Sequence, residues 1–395
     1  MADILFMMWP EPGHLNPTFR IAKTLKAHGH RIVYAQLYDF EDYIRGQGFE
    51  FIPFFGGLVP KGYQTRRNYT VSIHGDLMVL CDRLARKQQK TTINFMKEVV
   101  ENIFERVNPH MVLIDSYNAK FLMPEMPAGG PACILLNPIL IEPYRNMNSS
   151  FLTSMTTLIL CPKEFELPQL EWPANFHHVE ASCDMERKVR PGFPWDRIDE
   201  SKKLLYCALG TQGHWQYEGD DYESKQRNGL RFLQAVLTAM ADHADWQLVM
   251  VVDPHINAEA LHSVPPNAVL VDYAPQSQLL KRASLAITHG GLNTVKDCIL
   301  LGVPMLVFPI WGDQFGTALR VAFHGLGLTK ELQTATAESI SSMITTVEGD
   351  SGFKSRIEAM RKIFLERENE HRAAKIIEDR LAESLKARSA GSRVR

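Results

Sequence analysis

The stretch LAITHGGLNTVKDCILLGVPMLVFPIWGDQ, residues 285–314, decides the fold of this chain. Its first apolar run, residues 285–289, is short enough to be a buried strand, and it passes through two glycines into a helical pattern over residues 293–301. A second short apolar run, residues 305–309, follows that helix. Two buried strands joined through a helix form a βαβ unit, in which the strands lie parallel. The stretch therefore predicts part of a doubly wound parallel sheet.

The same alternation of short apolar runs and amphipathic stretches extends over most of the chain. In the first half it predicts a helix at residues 15–27 and strands at residues 4–9, 31–36, 49–54, 111–115, 132–137 and 157–160. In the second half it predicts a helix at residues 229–242 and strands at residues 203–208, 246–252 and 269–272. The pattern predicts the α/β class, with two Rossmann-like doubly wound parallel sheets.

The boundary between the two halves is predicted from residues 190–201, whose two prolines and one glycine suit an extended connection. A length of 395 residues also favours two domains, each large enough to bury its own core. We predict an N-terminal domain over residues 1–195 and a C-terminal domain over residues 196–375. Residues 376–395 are predicted as a helix and basic tail, and their return to the N-terminal domain is left open. Two such domains leave a cleft between them.

Charge and cysteine usage exclude several classes of protein. Lys and Arg total 43 and Asp and Glu total 45, so a net charge of -2 gives no field that would attract nucleic acid. The six cysteines are scattered and form no CxxC pair, which argues against a zinc knuckle or a disulfide framework and favours a reduced, cytoplasmic compartment. No run of roughly 18 apolar residues occurs, so no membrane span is expected.

The segment His289-Gly290-Gly291 is a candidate anion site, because it lies between a predicted strand and the start of a predicted helix. Glycines let backbone N–H groups approach a ligand, the helix N-terminus carries the equivalent of about half a positive charge, and the imidazole adds a donor. A diphosphate matches that arrangement. Taken alone, the glycine pair is equally compatible with an ordinary tight turn.

Four segments of the sequence occur in the same order as in a known family. They are YAPQSQLL at residues 273–280, THGGLNTVKD at 288–297, GVPMLVFP at 302–309 and Asp-Gln at 313–314. Together they resemble the donor-binding signature of the UDP-dependent glycosyltransferases of natural-product type, glycosyltransferase family 1. The resemblance implies the GT-B fold, in which the N-terminal domain binds an acceptor and the C-terminal domain, across the cleft, binds a nucleotide sugar.

The resemblance implies a nucleoside and sugar subsite. Tyr273 falls where the family stacks the nucleobase, often with tryptophan, and Gln276 falls where it hydrogen-bonds the base. Asp297 falls where the family usually has a glutamate that holds the ribose hydroxyls. Asp313 and Gln314 fall on the pair that holds the hydroxyls of glucose-like sugars.

The resemblance also implies a phosphate subsite. His289 falls on the family's diphosphate-binding histidine, and Gly291, Asn293 and Thr294 line the same phosphates. Thr211, at the end of the segment ALGT, falls on the residue that reaches the phosphates from the other side.

The catalytic pair is predicted from two strand ends. His14 lies in PEPGHLNP, residues 10–17, which reads as a Gly/Pro loop after the first strand and resembles the family's GHxxP segment, whose histidine deprotonates the acceptor. Asp115 ends the strand MVLID and resembles the aspartate that orients this histidine. From the strand alone, Asp115 is also a reasonable helix N-cap or a plain strand-end acid.

The resemblance thus implies a metal-independent, inverting transferase without a cofactor. It would move a hexose from a UDP- or dTDP-sugar to a hydroxyl of a small, apolar natural product. Acceptor identity, sugar and nucleobase preference, the acceptor atom and the oligomeric state are left open. Six large side chains are compatible either with the lining of the acceptor pocket or with the apolar core. They are Phe55, Tyr63, Met78, Phe121, Tyr144 and Met147.

Two other functions are compatible with the same fold. One is a non-catalytic auxiliary protein that binds nucleotide and activates another enzyme, against which the presence of both His14 and Asp115 argues. The other is a nucleotide-sugar epimerase, which would consume the donor without an acceptor. A dehydrogenase is not expected, because no GxGxxG follows the first strand.

Overall fold

The computed structural model describes residues 1–62, 73–126, 130–140, 155–186, 191–210, 222–253 and 258–391. The chain forms two compact units, each with its own parallel sheet. Unit 1 comprises Met1–Pro162, Glu171–Lys188 and Glu370–Arg395, and unit 2 comprises Lys163–Leu170 and Val189–Asn369. The chain therefore crosses from one unit to the other several times, so the two units do not correspond to two continuous stretches of the sequence.

Unit 1 is built, within the described residues, on a seven-stranded sheet whose neighbouring strands are all parallel. The strands are β1 Asp3–Met7, β2 Arg31–Gln36, β3 Glu50–Pro53, β4 Met111–Asp115, β5 Ala132–Asn137, β6 Thr157–Ile159 and β7 Phe176–His178. Their order in the sheet is β3-β2-β1-β4-β5-β6-β7. The direction of winding therefore reverses between β1 and β4.

The first helices of the chain pack their apolar faces on this sheet. They are α1 Pro12–Ala27, α2 Glu41–Gly46, α3 Ile73–Lys87, α4 Thr92–Val107 and α5 Ser116–Leu122. Leu15 and Phe19 of α1 and Val100 of α4 are buried in the same apolar core as the strands. Because helices cover a parallel sheet, its strands read as nearly continuous apolar runs in the sequence.

Unit 2 repeats the plan with a six-stranded parallel sheet in the described residues. Its strands are β8 Lys203–Ala208, β9 Trp246–Val251, β10 Ala268–Val271, β11 Ala283–Thr288, β12 Met305–Val307 and β13 Gly327–Thr329. Its helices are α6 Tyr222–Met240, α7 Gln276–Leu280, α8 Leu292–Leu301, α9 Asp313–Phe323, α10 Ala337–Gly349 and α11 Ser351–Glu370. The strand order β10-β9-β8-β11-β12-β13 reverses between β8 and β11.

The last described helix, α12 Arg372–Gly391, lies on unit 1. Its side chains Ala373, Ala374 and Ile377 join the core of unit 1. At its first turn, the backbone N of Ala373 donates a hydrogen bond to Oε2 of Glu180 at 3.0 Å. The helix is therefore fixed at its N-terminus as well as along its apolar face.

The predicted α/β class and the two doubly wound parallel sheets are confirmed. The edge strands β7 and β13 were not predicted, because each has three residues and no apolar run: Phe-His-His in β7 and Gly-Leu-Thr in β13. Among the helices of the described ranges, none has the length and apolar character needed to cross a bilayer.

Candidate active site

Each unit has one point where its strand order reverses, β1/β4 in unit 1 and β8/β11 in unit 2. Open α/β sheets bind ligands at the carboxyl ends of the strands beside such a point. His14 follows β1 and Asp115 ends β4, while His289 directly follows β11. The topology therefore places these three side chains where a ligand is expected.

His14 lies in the first turn of α1, since that helix begins at Pro12. The prediction that His14 lies in a loop, with the helix starting at Leu15, is wrong. Proline at the first helical position has a suitable φ and lacks only an N–H that would have no helical partner. The backbone N of His14 donates to the carbonyl of Glu11 at 3.0 Å. The histidine therefore lies on the hydrogen-bonded first turn of the helix.

The side chains of His14 and Asp115 form a buried hydrogen bond. Met7 pairs with Ile114 across β1 and β4, so the segments that follow these residues begin side by side. Nδ1 of His14 lies 2.8 Å from Oδ2 of Asp115, and the two residues are 7% and 0% exposed. A carboxylate only accepts hydrogen bonds, so Nδ1–H is the donor and a neutral ring carries its lone pair on Nε2. This is the tautomer that a general base requires.

Asp115 also caps helix α5. Its Oδ1 accepts a hydrogen bond from the backbone N of Tyr117 at 2.9 Å, while Oδ2 accepts from His14. One carboxylate thus fills both roles that the sequence suggested, with one oxygen for each. Because the cap limits rotation of the carboxylate, it also fixes the orientation of the imidazole.

Aromatic side chains that the sequence analysis did not single out support this pair. The Tyr117 ring meets the His14 ring edge-on, with centroids 5.3 Å apart and planes at 90°. The Trp9 ring lies 6.0 Å from that of Tyr117, and its Nε1 donates to Oε1 of Glu11 at 2.8 Å. The only sequence signal for Tyr117 is its position two residues after Asp115.

In unit 2, the imidazole of His289 is packed between two glycines. Thr288 pairs with Ala208, so the segments after β11 and β8 begin side by side. A Cβ atom on Gly210 would lie 2.6 Å from Cε1 of His289, and one on Gly291 would lie 2.6 Å from Nε2. Neither position has room for a side chain while the ring stays where it is.

The turn that follows His289 presents the start of α8. Gly290 has φ +84°, and a Cβ there would lie 2.8 Å from Cγ1 of Val307. The backbone N of Gly290 donates to Oγ1 of Thr288 at 3.2 Å. Gly291 is the N-cap of α8 and has no side chain with which to accept from the first N–H groups of the helix. The N–H groups at the start of a helix, beside a histidine, are a suitable site for an anion.

The protonation state of His289 follows from its surroundings. The residue is partly exposed, but its Nδ1 is buried and has no hydrogen-bond partner in the part of the chain that the structure describes. Burial lowers the pKa of His289 to about 4. At neutral pH the ring is therefore uncharged and has hydrogen-bonding capacity left for a ligand.

Two of the three residues predicted to bind the nucleoside are hydrogen-bonded to each other. Nε2 of Gln276, at the start of α7, donates to Oδ2 of Asp297 at 2.9 Å. Asp297 is 2% exposed, while Tyr273 and Gln276 are partly exposed. Asp297 is therefore a buried acid that already binds Gln276.

The two predicted sugar residues start helix α9 but differ in environment. Asp313 is the first helical residue and is partly exposed. Gln314 is 4% exposed, and its Oε1 accepts hydrogen bonds from the backbone N of Ile310 at 2.9 Å and of Trp311 at 3.2 Å. The amide oxygen of Gln314 thus stabilises the turn before the helix.

The structure describes some of the remaining candidate site residues and leaves others outside its described ranges. Asn293 and Thr294 lie in the first turn of α8 and are partly exposed. Thr211 lies outside the described residues, as do Tyr63, Tyr144 and Met147, and the side chains of Met78 and Phe121 are not described either. Phe55 is 3% exposed and packs in the core of unit 1, with its ring centroid 6.2 Å from that of Phe95.

Comparison with known proteins shows which proteins the chain is similar to. Residues 234–379 match the family described as "Erythromycin biosynthesis protein CIII-like, C-terminal domain". The chain is also 25% identical to the NDP-glycosyltransferase YjiC of Bacillus subtilis, over 93% of this chain and 95% of that protein. These two matches support the natural-product glycosyltransferase family that the sequence resembles. The resemblance found in the sequence is confirmed, and the glycosyltransferase is an enzyme that transfers a sugar.

Solved structures confirm the GT-B fold of the glycosyltransferase. The glycotransferase of kitacinnamycin has a TM-score of 0.69 at 21% identity, with coverage of 96% of this chain and 99% of that one. The spinosyn rhamnosyltransferase SpnG, solved in complex with thymidine diphosphate, has a TM-score of 0.65 at 17% identity, with coverage of 94% and 100%. SpnG has also been solved with spinosyn aglycone.

We expect Gly291→Ala to weaken binding of a nucleoside diphosphate by about tenfold, the effect of losing one hydrogen bond. Gly291 has φ -59°, which alanine adopts without strain, so the effect arises from displacement of the His289 ring by the added Cβ. Gly349→Ala, at the end of α10, is the control, because its Cβ would meet nothing within 4 Å. Calorimetric titration of both variants measures the effect, and equal affinities would show that the ring position does not matter.

Proposed function

We propose that this glycosyltransferase moves a hexose from a UDP- or dTDP-sugar to a hydroxyl of a small, apolar natural product, with inversion and with His14 as general base. The observation that carries the proposal is the 2.8 Å hydrogen bond from Nδ1 of His14 to Oδ2 of Asp115. The names of the relatives support the substrate classes, since YjiC is an NDP-glycosyltransferase and SpnG has been solved with thymidine diphosphate and with an aglycone.

In the proposed reaction, Nε2 of His14 takes the proton of the acceptor hydroxyl. The oxygen forms a bond to the anomeric carbon while the bond from that carbon to the diphosphate oxygen breaks, and the nucleoside diphosphate leaves with the electron pair. Attack from the face opposite the leaving group inverts the anomeric configuration. Asp115 stabilises the imidazolium as it forms, because its carboxylate is buried and already bonded to Nδ1.

The leaving diphosphate is proposed to bind at the start of α8. The N–H groups of that helix and the ring of His289 are fixed before the reaction, so they stabilise the negative charge that develops without reorganising. Asn293 and Thr294 belong to the same turn. Tyr273, Gln276 and Asp297 are proposed to bind the nucleoside, and Asp313 and Gln314 the sugar. With this arrangement we propose that no divalent metal is required.

Calorimetric titration with UDP, dTDP and their glucose conjugates, in the presence of EDTA, tests the proposal. We expect one nucleotide to bind with the same affinity with and without EDTA. Binding that requires Mg²⁺ would contradict metal independence, and failure of every nucleotide to bind would contradict the donor site. A subsequent acceptor screen, with the anomeric configuration of the product read by NMR, distinguishes inversion from retention, and donor turnover without an acceptor would indicate an epimerase.

A further inference from the structure

Helix α9 buries several polar side chains and exposes several large apolar ones. Its buried face includes three polar side chains, Gln314, Thr317 and Arg320. Its exposed face is apolar, with Phe315, Leu319 and Phe323 between 47% and 57% exposed. A helix on a globular core normally buries its apolar face, because each buried polar group must be compensated by hydrogen bonds. Such a departure from the usual pattern is most often found where function requires it.

The buried polar side chains all act on the N-terminal part of α9. Oε1 of Gln314 accepts from the backbone before the helix, as described above. Oγ1 of Thr317 donates to the carbonyl of Asp313 at 3.1 Å. Nη1 of Arg320 donates to the carbonyl of Gly316 at 2.8 Å. The first turn, which begins with Asp313, is thus fixed from its buried side at three places.

Glu166 holds Arg320 in this position. Nε of Arg320 donates to Oε1 of Glu166 at 2.6 Å, and Nη2 contacts the same oxygen. The two side chains are 3% and 4% exposed. The backbone N of Leu167 donates to that oxygen as well, at 2.9 Å, whereas Oε2 of Glu166 is buried without a hydrogen-bond partner in the described residues. The guanidinium therefore links one carboxylate oxygen to the first turn of α9.

Stability alone is a weak reason to bury this pair. Removing two charges from water costs free energy that their attraction only partly offsets, and apolar residues of similar size often serve as well. An apolar pair makes no directional contact, because it has no donor that holds a backbone carbonyl at a given distance. The contact with Gly316 gives the ion pair such a directed effect.

We infer that Glu166 and Arg320 are positioning residues for the donor sugar, because they set the first turn of α9 and with it the direction of the Asp313 carboxylate. The inference rests on the proposed function, in which Asp313 binds sugar hydroxyls. Neutralising Glu166 leaves a buried guanidinium without its counter-charge. Arg320 then moves toward water, and the first turn loses its support at Gly316.

The experiment compares affinities for UDP and UDP-glucose, or for the dTDP pair where that nucleotide binds. For Glu166→Gln we expect the ratio of the two affinities to change by about tenfold, the effect of a small misplacement of a binding group, while affinity for the bare nucleotide stays within about twofold. Glu164→Gln is the matched control. Glu164 lies in the same segment and accepts from Nε of Arg367 at 2.9 Å, but both its side chain and that of Arg367 are partly exposed. This control should leave both affinities unchanged.

Asp313→Asn separates failure of the inference from failure of the proposed function. An unchanged ratio in Asp313→Asn would remove the sugar-binding role of Asp313 and with it that part of the proposed function. A changed ratio there, with an unchanged ratio in Glu166→Gln, would overturn the positioning role alone. Equal losses of both affinities in Glu166→Gln would also overturn it, since they indicate general damage. If Glu166→Gln does not fold, Arg320→Lys is the alternative variant. Lysine keeps the positive charge but has one nitrogen in place of the three of the guanidinium, and it is expected to change the ratio in the same way.

Discussion

Replacing His14 by alanine should lower the rate constant for sugar transfer by about a thousandfold, while affinity for the donor nucleotide is expected to stay within about twofold. The rate falls because the variant has no group to take the acceptor proton. Nucleotide affinity is retained because the residues proposed to bind it belong to unit 2, whereas His14 belongs to unit 1. Single-turnover transfer assays and calorimetry on the same preparation measure the two quantities.

The alanine variant has a second consequence, because it leaves Asp115 buried without its histidine. His14→Gln separates the two effects. The glutamine amide is able to donate to Asp115 but is not a base at neutral pH, so this variant should be more stable than His14→Ala and equally inactive.

His28→Ala is the matched control for both variants. His28 follows the same helix α1, and its Nδ1 lies 2.9 Å from Oε1 of Glu378, but its side chain is 48% exposed. An exposed pair of this kind contributes little, so transfer should proceed at the wild-type rate. Transfer by His14→Gln at a rate close to that of His28→Ala would exclude His14 as the base. A parallel loss of nucleotide affinity would contradict the assignment of the two substrates to separate units.

The positions of His14 and Asp115 were predictable because they depend on strand ends. Buried strands read as apolar runs, and β2, β4, β5 and β8 have the bounds that the sequence predicts. Once the strand order is that of a doubly wound sheet, the ends of β1 and β4 are neighbours even though His14 and Asp115 are 101 positions apart. A topological rule thus connects residues that no local pattern connects.

The start of helix α1 was not predictable in the same way. Glycine and three prolines in PEPGHLNP indicate a loop by local preference, yet Pro12 begins the helix and Pro17 lies inside it. Helix α9 was missed as well. Its apolar side chains lie on both the exposed and the buried face, so the one-sided pattern that marks a helix packed on a core does not apply.

Contacts between side chains that depend on three-dimensional packing left no signal in the sequence. Glu166 and Arg320 are 154 positions apart, and neither belongs to a recognisable motif. Gly210 has no special signal within ALGT, although its φ of +81° and the close approach of the His289 ring both favour glycine there. Such contacts form only when distant segments are brought together by the folded sheet. The pattern of residues along the chain does not contain that information.

Replacing His289 by alanine should weaken binding of the donor nucleotide by about 30-fold, which lies within the range for one hydrogen bond to a charged group. The ring lies between Gly210 and Gly291 at the start of α8, and its buried Nδ1 has no partner among the described residues, so a bound phosphate oxygen would complete its hydrogen bonding. Calorimetry with the nucleotide identified by the EDTA titration measures the loss. An affinity equal to that of the wild type would remove His289 from the donor site.

The pH dependence of the same affinity distinguishes a phosphate contact from a purely structural role. Because the pKa of His289 is about 4 in the unliganded protein and about 6.5 in an unfolded chain, its contribution to stability is present above pH 6.5 and is lost as the pH falls toward 4. A bound diphosphate has the opposite effect on the pKa, since it favours the imidazolium. As the pH falls from 8 to 5, the affinity of the wild type should therefore rise relative to that of His289→Gln. The titration of the nucleotide itself cancels in this ratio, so a ratio independent of pH would mean that a bound diphosphate does not raise the pKa of the ring.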